Sequence, residues 1–303
     1  MFQPSYIKLY EQGEFARRVK LACEKLRKCS ICPRGCGVDR LAGERGFCRV
    51  GKLPMVSSCH PHFGEERPLV GTDGSGTIFL TRCNLGCLFC QNYTISHLGD
   101  GREVSLEELA QMMLHLQRLG CHNINFVTPT HFVPQILGAL SQAIEGGLNV
   151  PLVYNTGGYD ALETLRLLDG VFDIYMPDFK YADGDVAQKL ARAKDYPQMA
   201  KAAIKEMYRQ VGDLVLDERG IALRGLLVRH LVLPGGLAGT REVMRFLAKE
   251  ISPDTYVNVM DQYYPCYKAF ENPPLDRRIT PAEFEEAVRM AREEGLWRLD
   301  GLL

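Results

Sequence analysis

The chain has no surplus of charge. Its 36 lysines and arginines face 37 aspartates and glutamates, for a net charge of −1. Nucleic acid and anionic membranes are usually met by a basic excess, so neither is an expected partner. No apolar run approaches the roughly eighteen residues of a membrane span. The opening Met1-Phe2-Gln3-Pro4-Ser5 lacks a basic stretch followed by an apolar one, so no leader is expected. There is no internal repeat and no low-complexity tract. A reduced, cytoplasmic setting and an α/β globular chain are the expectations that survive. With 303 residues, 46% hydrophobic and 24% charged, the chain can bury a full core as one large domain, or as one domain with a small appendage.

What is present in excess is cysteine, eleven in all. In a reduced compartment thiolates hold metal more often than they pair, and an odd number cannot pair completely. Cys29-x2-Cys32-x3-Cys36-x11-Cys48 supplies four thiolates, enough to close a site, with glycines at 35, 37, 43 and 46 to let the loop fold over a metal. Zinc and an auxiliary [4Fe–4S] cluster both suit four sulfurs. Iron–sulfur is favoured because a cell that loads one cluster can load a second. Cys83-x3-Cys87-x2-Cys90 supplies only three thiolates. A cluster held there keeps one iron open to an outside ligand, whereas a zinc loop would need a distant fourth ligand such as His97. Of the remaining four, Cys23 falls on an apolar helix face. Cys59, in Cys59-His60-Pro61-His62, could lend a ligand to the first set. Cys121 and Cys266 read as small buried residues, with Cys266 a candidate substrate-side thiol.

The pattern divides into residues 1–70, an N-terminal helix (14–27) and cysteine-rich metal-binding module, and 71–303, where strands and helices alternate. Strands are expected at 77–81, 123–127, 152–155, 172–176, 226–233 and 256–260, each a short apolar run. Helices are expected to start at Ser105-Leu106-Glu107-Glu108, Asp160-Ala161-Leu162-Glu163 and Thr280-Pro281-Ala282-Glu283, all in capping arrangements. A further helical region, 183–211, should break at Pro197. About six strand–helix units imply a parallel sheet with right-handed crossovers, a partial or full (βα)6 TIM-like barrel. In such sheets ligands gather at the carboxyl ends of the strands.

The motif Cys83-Asn84-Leu85-Gly86-Cys87-Leu88-Phe89-Cys90, with Phe89 before the last cysteine, resembles that of the radical S-adenosylmethionine (SAM) superfamily. The resemblance implies a radical SAM barrel with a [4Fe–4S] cluster whose open iron is chelated by SAM. It also implies reductive cleavage to a 5′-deoxyadenosyl radical that abstracts substrate hydrogen. Within that superfamily, Asn155-Thr156-Gly157-Gly158-Tyr159, Met176-Pro177-Asp178-Phe179-Lys180 and Arg229-His230-Leu231-Val232-Leu233-Pro234-Gly235 resemble strand ends of the glycyl-radical-enzyme activating enzymes. Cys32-Pro33-Arg34-Gly35-Cys36, Gln91-Asn92-Tyr93 and Asn125 to His131 resemble the pyruvate formate-lyase-activator-like group labelled PflX.

These likenesses imply Lys180 on the SAM carboxylate, and Asp178, Thr156 and the Met176 carbonyl near a monovalent cation. Arg229 and Gln262 would lie near SAM, with Asn155 and Gly157 beside them. The usual Gly-Gly-Glu is replaced by Thr128-Pro129-Thr130-His131, so Thr128, Thr130 and His131 become the candidate acceptors for the SAM amino group. The implied function is hydrogen abstraction from a protein or peptide target, with a flavodoxin- or ferredoxin-type electron donor. The alternatives are direct modification of a small molecule, peptide or RNA, and a non-catalytic metal- or redox-sensing module.

Overall fold

The structure, a computed structural model, describes residues 2–302. Its strands are β1 (Met55–His62), β2 (Ser75–Leu80), β3 (Arg102–Glu103), β4 (Ile124–Val127), β5 (Leu152–Thr156), β6 (Ile174–Pro177), β7 (Val215–Leu216), β8 (Ala222–Leu231) and β9 (Tyr256–Met260). The α-helices are α1 (Ser5–Glu11), α2 (Glu14–Glu24), α3 (Arg67–Val70), α4 (Leu106–Arg118), α5 (Val133–Glu145), α6 (Leu162–Leu167), α7 (Gly184–Ala191), α8 (Tyr196–Val211), α9 (Thr240–Phe246) and α10 (Pro281–Glu294).

Six strands run parallel in the order β2-β4-β5-β6-β8-β9, with helices between them. The chain is an α/β partial barrel, as the alternation requires. Strands β5 and β6 are buried at every position, which is why they read as unbroken apolar runs. Register places Thr77, Asn125, Val153, Ile174 and Gly225 in one row, and Phe79, Val127, Asn155 and Met176 in the row above. Leu69 of α3 packs with Val153, Ile174, Met176, Leu227 and Tyr256 and fills the interior below the strand ends. The expected capping boxes at Ser105/Glu108 and Thr280/Glu283 both form. No helix among the described residues is long and apolar enough to cross a membrane.

Residues 1–70 share the main core with the rest: Tyr6, Phe15, Cys29 and Val50 belong to one apolar cluster with Phe126, Leu140 and Tyr154. Strand β1 pairs antiparallel with β2, Cys59 opposite Ile78. This strand escapes the sequence because its residues after Val56 are polar and Pro61 interrupts them. Beyond its short pairing with β3 its outer edge is free, where a missing N–H is tolerated. Cys59 is thereby carried into the sheet, its thiol directed toward the Met112 carbonyl, and it does not line the cavity of the first cysteine set.

Two expectations fail at helix starts. The helical break falls at residues 192–195, and Pro197 sits in the first turn of α8, where its missing N–H costs nothing. Asp160 does not cap α6: the cap is Ala161, with no side-chain bond. Asp160 is instead buried, accepting from Tyr154 Oη (2.9 Å), Thr156 Oγ1 (2.7 Å) and Thr130 Oγ1 (2.8 Å).

Candidate functional site

The chain leaves β2 at Leu80 and turns through Arg82 into the loop carrying Cys83, Cys87 and Cys90. Gly86, at φ 75°, allows a turn that an L side chain would resist. All three cysteines line a cavity of about 220 Å³ at the carboxyl ends of the strands. Each sulfur accepts one hydrogen bond: from Leu85 N at 3.3 Å, from Tyr181 Oη at 3.3 Å and from Ser96 Oγ at 3.1 Å, for Cys83, Cys87 and Cys90 respectively. Donors aimed at sulfur favour the thiolate and tune a cluster bound to it. Burial pushes the Cys87 thiol up to about 12, against the pull of Lys180, so metal loading must displace its proton. Among the described residues no three His, Cys, Asp or Glu side chains already stand at single-ion spacing. The fold supplies co-located, hydrogen-bonded thiols, a donor set that suits an iron–sulfur cluster with an open position.

Opposite the cysteines stand strand-end polar groups. Thr128, Asn155, Thr156, Gly157, Asp178, Lys180, Arg229 and Gln262 all line the same cavity. Asp178 is gripped from two sides, by Lys180 Nζ at 2.5 Å and by Arg229 Nε at 2.8 Å. Arg229 Nη2 also donates to Asn155 Oδ1 at 2.7 Å. Burial pushes the Asp178 carboxyl up, but Arg229 and Lys180 more than reverse this and hold it below the usual carboxylate range. Both its oxygens are engaged by protein cations, so the charge that a monovalent cation would balance is already neutralised. Lys180 must divide its donors between Asp178 and any ligand carboxylate, and a monovalent cation at this carboxylate would compete with Lys180 and Arg229.

Three expected site residues lie elsewhere. Past Thr128, a 3-10 turn over Thr130–Phe132 folds the segment inward. Thr130 bonds Thr156 Oγ1 (2.9 Å) and Asp160, and so acts behind the cavity wall. His131 is buried with Nε2 on the Thr81 carbonyl at 3.0 Å. Burial lowers its pKa to about 3, so it is neutral, and it lines the cavity of the first cysteine set rather than this one. Cys266 is absent from the cavity lining. Thr128 itself has φ 60°, a rare conformation for a β-branched residue, and its N–H donates to the Asn155 carbonyl at 2.8 Å.

The four cysteines of the first set line one small buried cavity with Arg34, Asn84 and His131. A Cβ on Gly46 would stand 2.7 Å from Cys36 Sγ, so this glycine permits the loop to close. Arg34 ties the two sets together: it donates to the carbonyls of Asn84 (2.8 Å), Leu85 (2.9 Å), Ala191 (2.9 Å) and Arg192. His97 is not placed as a metal ligand, since Nε2 meets the Cys87 carbonyl at 2.9 Å. Sequence reasoning missed Arg34, Ser96 and Tyr181 as site residues. It also missed Glu65, whose carboxylate lies 3.5 Å from Arg229 Nη1. Arg34 and Tyr181 carried a signal, Arg34 standing inside the first cysteine motif and Tyr181 directly after Lys180 in Pro177-Asp178-Phe179-Lys180-Tyr181.

The sequence profile described as the Radical SAM superfamily matches residues 77–217. Two uncharacterized proteins of Methanocaldococcus jannaschii are relatives. MJ0674 is 35% identical over 289 residues, covering 92% of this chain and 78% of its own. MJ0808 is 27% identical over 301 residues, covering 91% and 81%. Among solved structures the chain is similar to HydG, a maturase of the [FeFe]-hydrogenase (12% identity, TM-score 0.47, 74% of this chain). It is also similar to native anSMEcpe with bound AdoMet (9% identity, TM-score 0.46, 70% of this chain). It spans about half the length of those two, 49% and 57%. The chain is a radical SAM enzyme, the match resting on residues 77–217, which carry Cys83, Cys87 and Cys90.

Proposed function

We propose that Cys83, Cys87 and Cys90 hold the SAM-binding cluster and that the enzyme abstracts hydrogen from a protein or peptide target, in the manner of an activating enzyme. One observation carries the reading: the three thiols and eight strand-end residues named by sequence line a single cavity. When bound, the cluster and SAM supply reductive bond cleavage and a carbon radical. The chain's own residues bind and orient. Lys180, raised above its usual range by Asp178 despite burial, stays charged and offers donors to a carboxylate. Arg229 and Asn155 fix Asp178 and thereby Lys180. Thr128 and Gln262 present oxygens that accept from an ammonium. Leu80, Phe79, Val127 and Met260 form the apolar walls that exclude water from a reactive species. The mouth is open at Asn92 and Gln262, both exposed, which suits a target too large to be enclosed.

Anaerobically reconstituted protein given SAM and dithionite should release 5′-deoxyadenosine and methionine. Absence of cleavage with an intact cluster rejects the proposal. Deuterium passing from a candidate peptide into 5′-deoxyadenosine identifies the target class, and transfer only from a small molecule or RNA would reject the activating-enzyme reading. The first cysteine set is proposed as an auxiliary iron–sulfur site. A Cys83/Cys87/Cys90→Ala variant should retain iron and sulfide, while zinc alone would assign it a structural role.

A further inference from the structure

A third cavity, of about 660 Å³, touches both thiol sets, with Cys48 and Cys83 in its wall. Arg82, Cys83, Gly86 and Ser96 separate it from the cofactor cavity, and line both. Five cations line it, Arg49, Arg82, Lys189, Arg192 and Lys268, and no carboxylate does. Their sequence neighbours Arg45 and Lys194 pair with Glu103 and Asp185, but these five make no ion pair among the described residues.

The backbone around this cavity is unusual. Among the described residues five non-glycine positions have left-handed φ, and four of them line it: Arg49 (58°), Arg82 (68°), Arg192 (55°) and Tyr267 (54°). Such conformations cost about 1 kcal/mol or more each and persist where surrounding structure enforces them, often at functional sites. The enforcement is visible. Arg34 holds the Arg192 carbonyl, Arg82 Nη1 donates to the His97 carbonyl at 2.7 Å, and Tyr267 stacks on His97 and Tyr93 with centroids 4.5 and 5.4 Å apart. The backbone is thus held where Arg82, Arg192 and Tyr267 meet one unneutralised space.

We propose that this face docks an acidic one-electron carrier protein that reduces the Cys83 cluster, an inference that rests on the radical SAM reading above. Four of the five cations, Arg49, Lys189, Arg192 and Lys268, are exposed and come from three segments, Lys189 and Arg192 sharing the end of α7. Exposed charges of one sign steer a macromolecule and set its register, whereas a small anion is held by buried, convergent donors. Exposed apolar groups flank the charges, Phe47 at 37% and Leu98 at 62% exposure, as a protein contact needs. Electron transfer weakens steeply with distance, and both thiol sets reach solvent here. In the step itself the carrier loses one electron and the cluster gains one; no bond or proton changes hands.

The test uses reconstituted holoenzyme, an acidic flavodoxin as probe, and the charge-reversed variant Lys189→Glu/Arg192→Glu/Lys268→Glu. Binding of labelled flavodoxin should weaken at least ten-fold, with a shallower salt dependence. Release of 5′-deoxyadenosine driven by reduced flavodoxin should fall by a similar factor, and release driven by dithionite should not change. Equal binding and turnover in variant and parent overturn the proposal. So does equal loss with both reductants, or a variant that loses binding to poly(U) RNA in a protein that never bound flavodoxin. Arg192→Gly guards against misfolding: glycine suits the left-handed end of α7, so stability should hold or rise while docking weakens. A parallel fall in both would assign the arginine a structural role. If the parent fails to cleave SAM with dithionite, the functional reading fails, while the binding arm still decides the docking surface.

Discussion

The two cavities that meet at Arg82 treat charge in opposite ways. In the inner one Asp178 lies between Lys180 and Arg229, and Arg229 also reaches Asn155. In the outer one five cations stand without an acid. Paired buried charges are rigid, and leaving either partner alone is costly, so they suit the positioning of a cofactor. Unpaired exposed charges cost little in water and keep their field for an arriving partner. One loop, Cys83 to Cys90, separates a region built to hold from a region built to attract.

The sharpest way to break this contrast is to remove the inner region's purpose. Replacing Cys83, Cys87 or Cys90 by Ala should abolish SAM cleavage beyond detection, measured as 5′-deoxyadenosine by chromatography, while circular dichroism stays native. Asp178→Asn should come next. It leaves buried Lys180 without a carboxylate partner and Arg229 with Glu65 alone, and should destabilise the fold by about 3–5 kcal/mol in urea unfolding, whereas charge reversal on the outer face should leave stability within about 0.5 kcal/mol.

A pH series sharpens the same distinction. His230 is buried, with Nδ1 on the Phe179 carbonyl at 2.7 Å and Nε2 on Thr240 Oγ1 at 3.0 Å, and burial lowers its pKa to about 4. The unfolded chain binds its proton near pH 6.5 and the folded chain does not. Its contribution to stability is therefore complete above pH 6.5 and falls as pH drops toward 4, by up to about 3 kcal/mol. A His230→Gln variant should show a flatter stability profile over that window; an unchanged slope would reject the assignment. The smallest effect is expected at Thr128→Gly. Relief of its left-handed φ should offset some of glycine's entropy cost and change stability by less than about 1 kcal/mol, while SAM affinity measured by calorimetry falls.

Much of the barrel was legible because buried parallel strands read as apolar runs, and because Ser105/Glu108 and Thr280/Glu283 announce helix starts. The same logic misread Asp160. A capping pattern records residue types, whereas the hydroxyls of Tyr154, Thr156 and Thr130 that claim this carboxylate come together only in space. Strand β1 was hidden by Pro61 and by its polar face. Thr130 and His131 belonged to the right segment, but a single 3-10 turn sends them behind the wall that Thr128 lines. Cys266 shows the opposite limit, a reactive residue type near the sixth parallel strand that the cavity leaves out.

Sequence by itself determined the chemistry: three thiols in eight residues, a parallel sheet to carry them, and the polar residues at its strand ends. Tertiary structure alone decided which oxygens and cations meet, and it changed the meaning of the net charge. A total of −1 implies no field that could steer a charged partner, yet folding gathers Arg49, Arg82, Lys189, Arg192 and Lys268 around one cavity and leaves acids outside its lining. Net charge is a sum over residues, but the field at a surface depends on where each lies and on the water between them, and only the folded chain sets those distances.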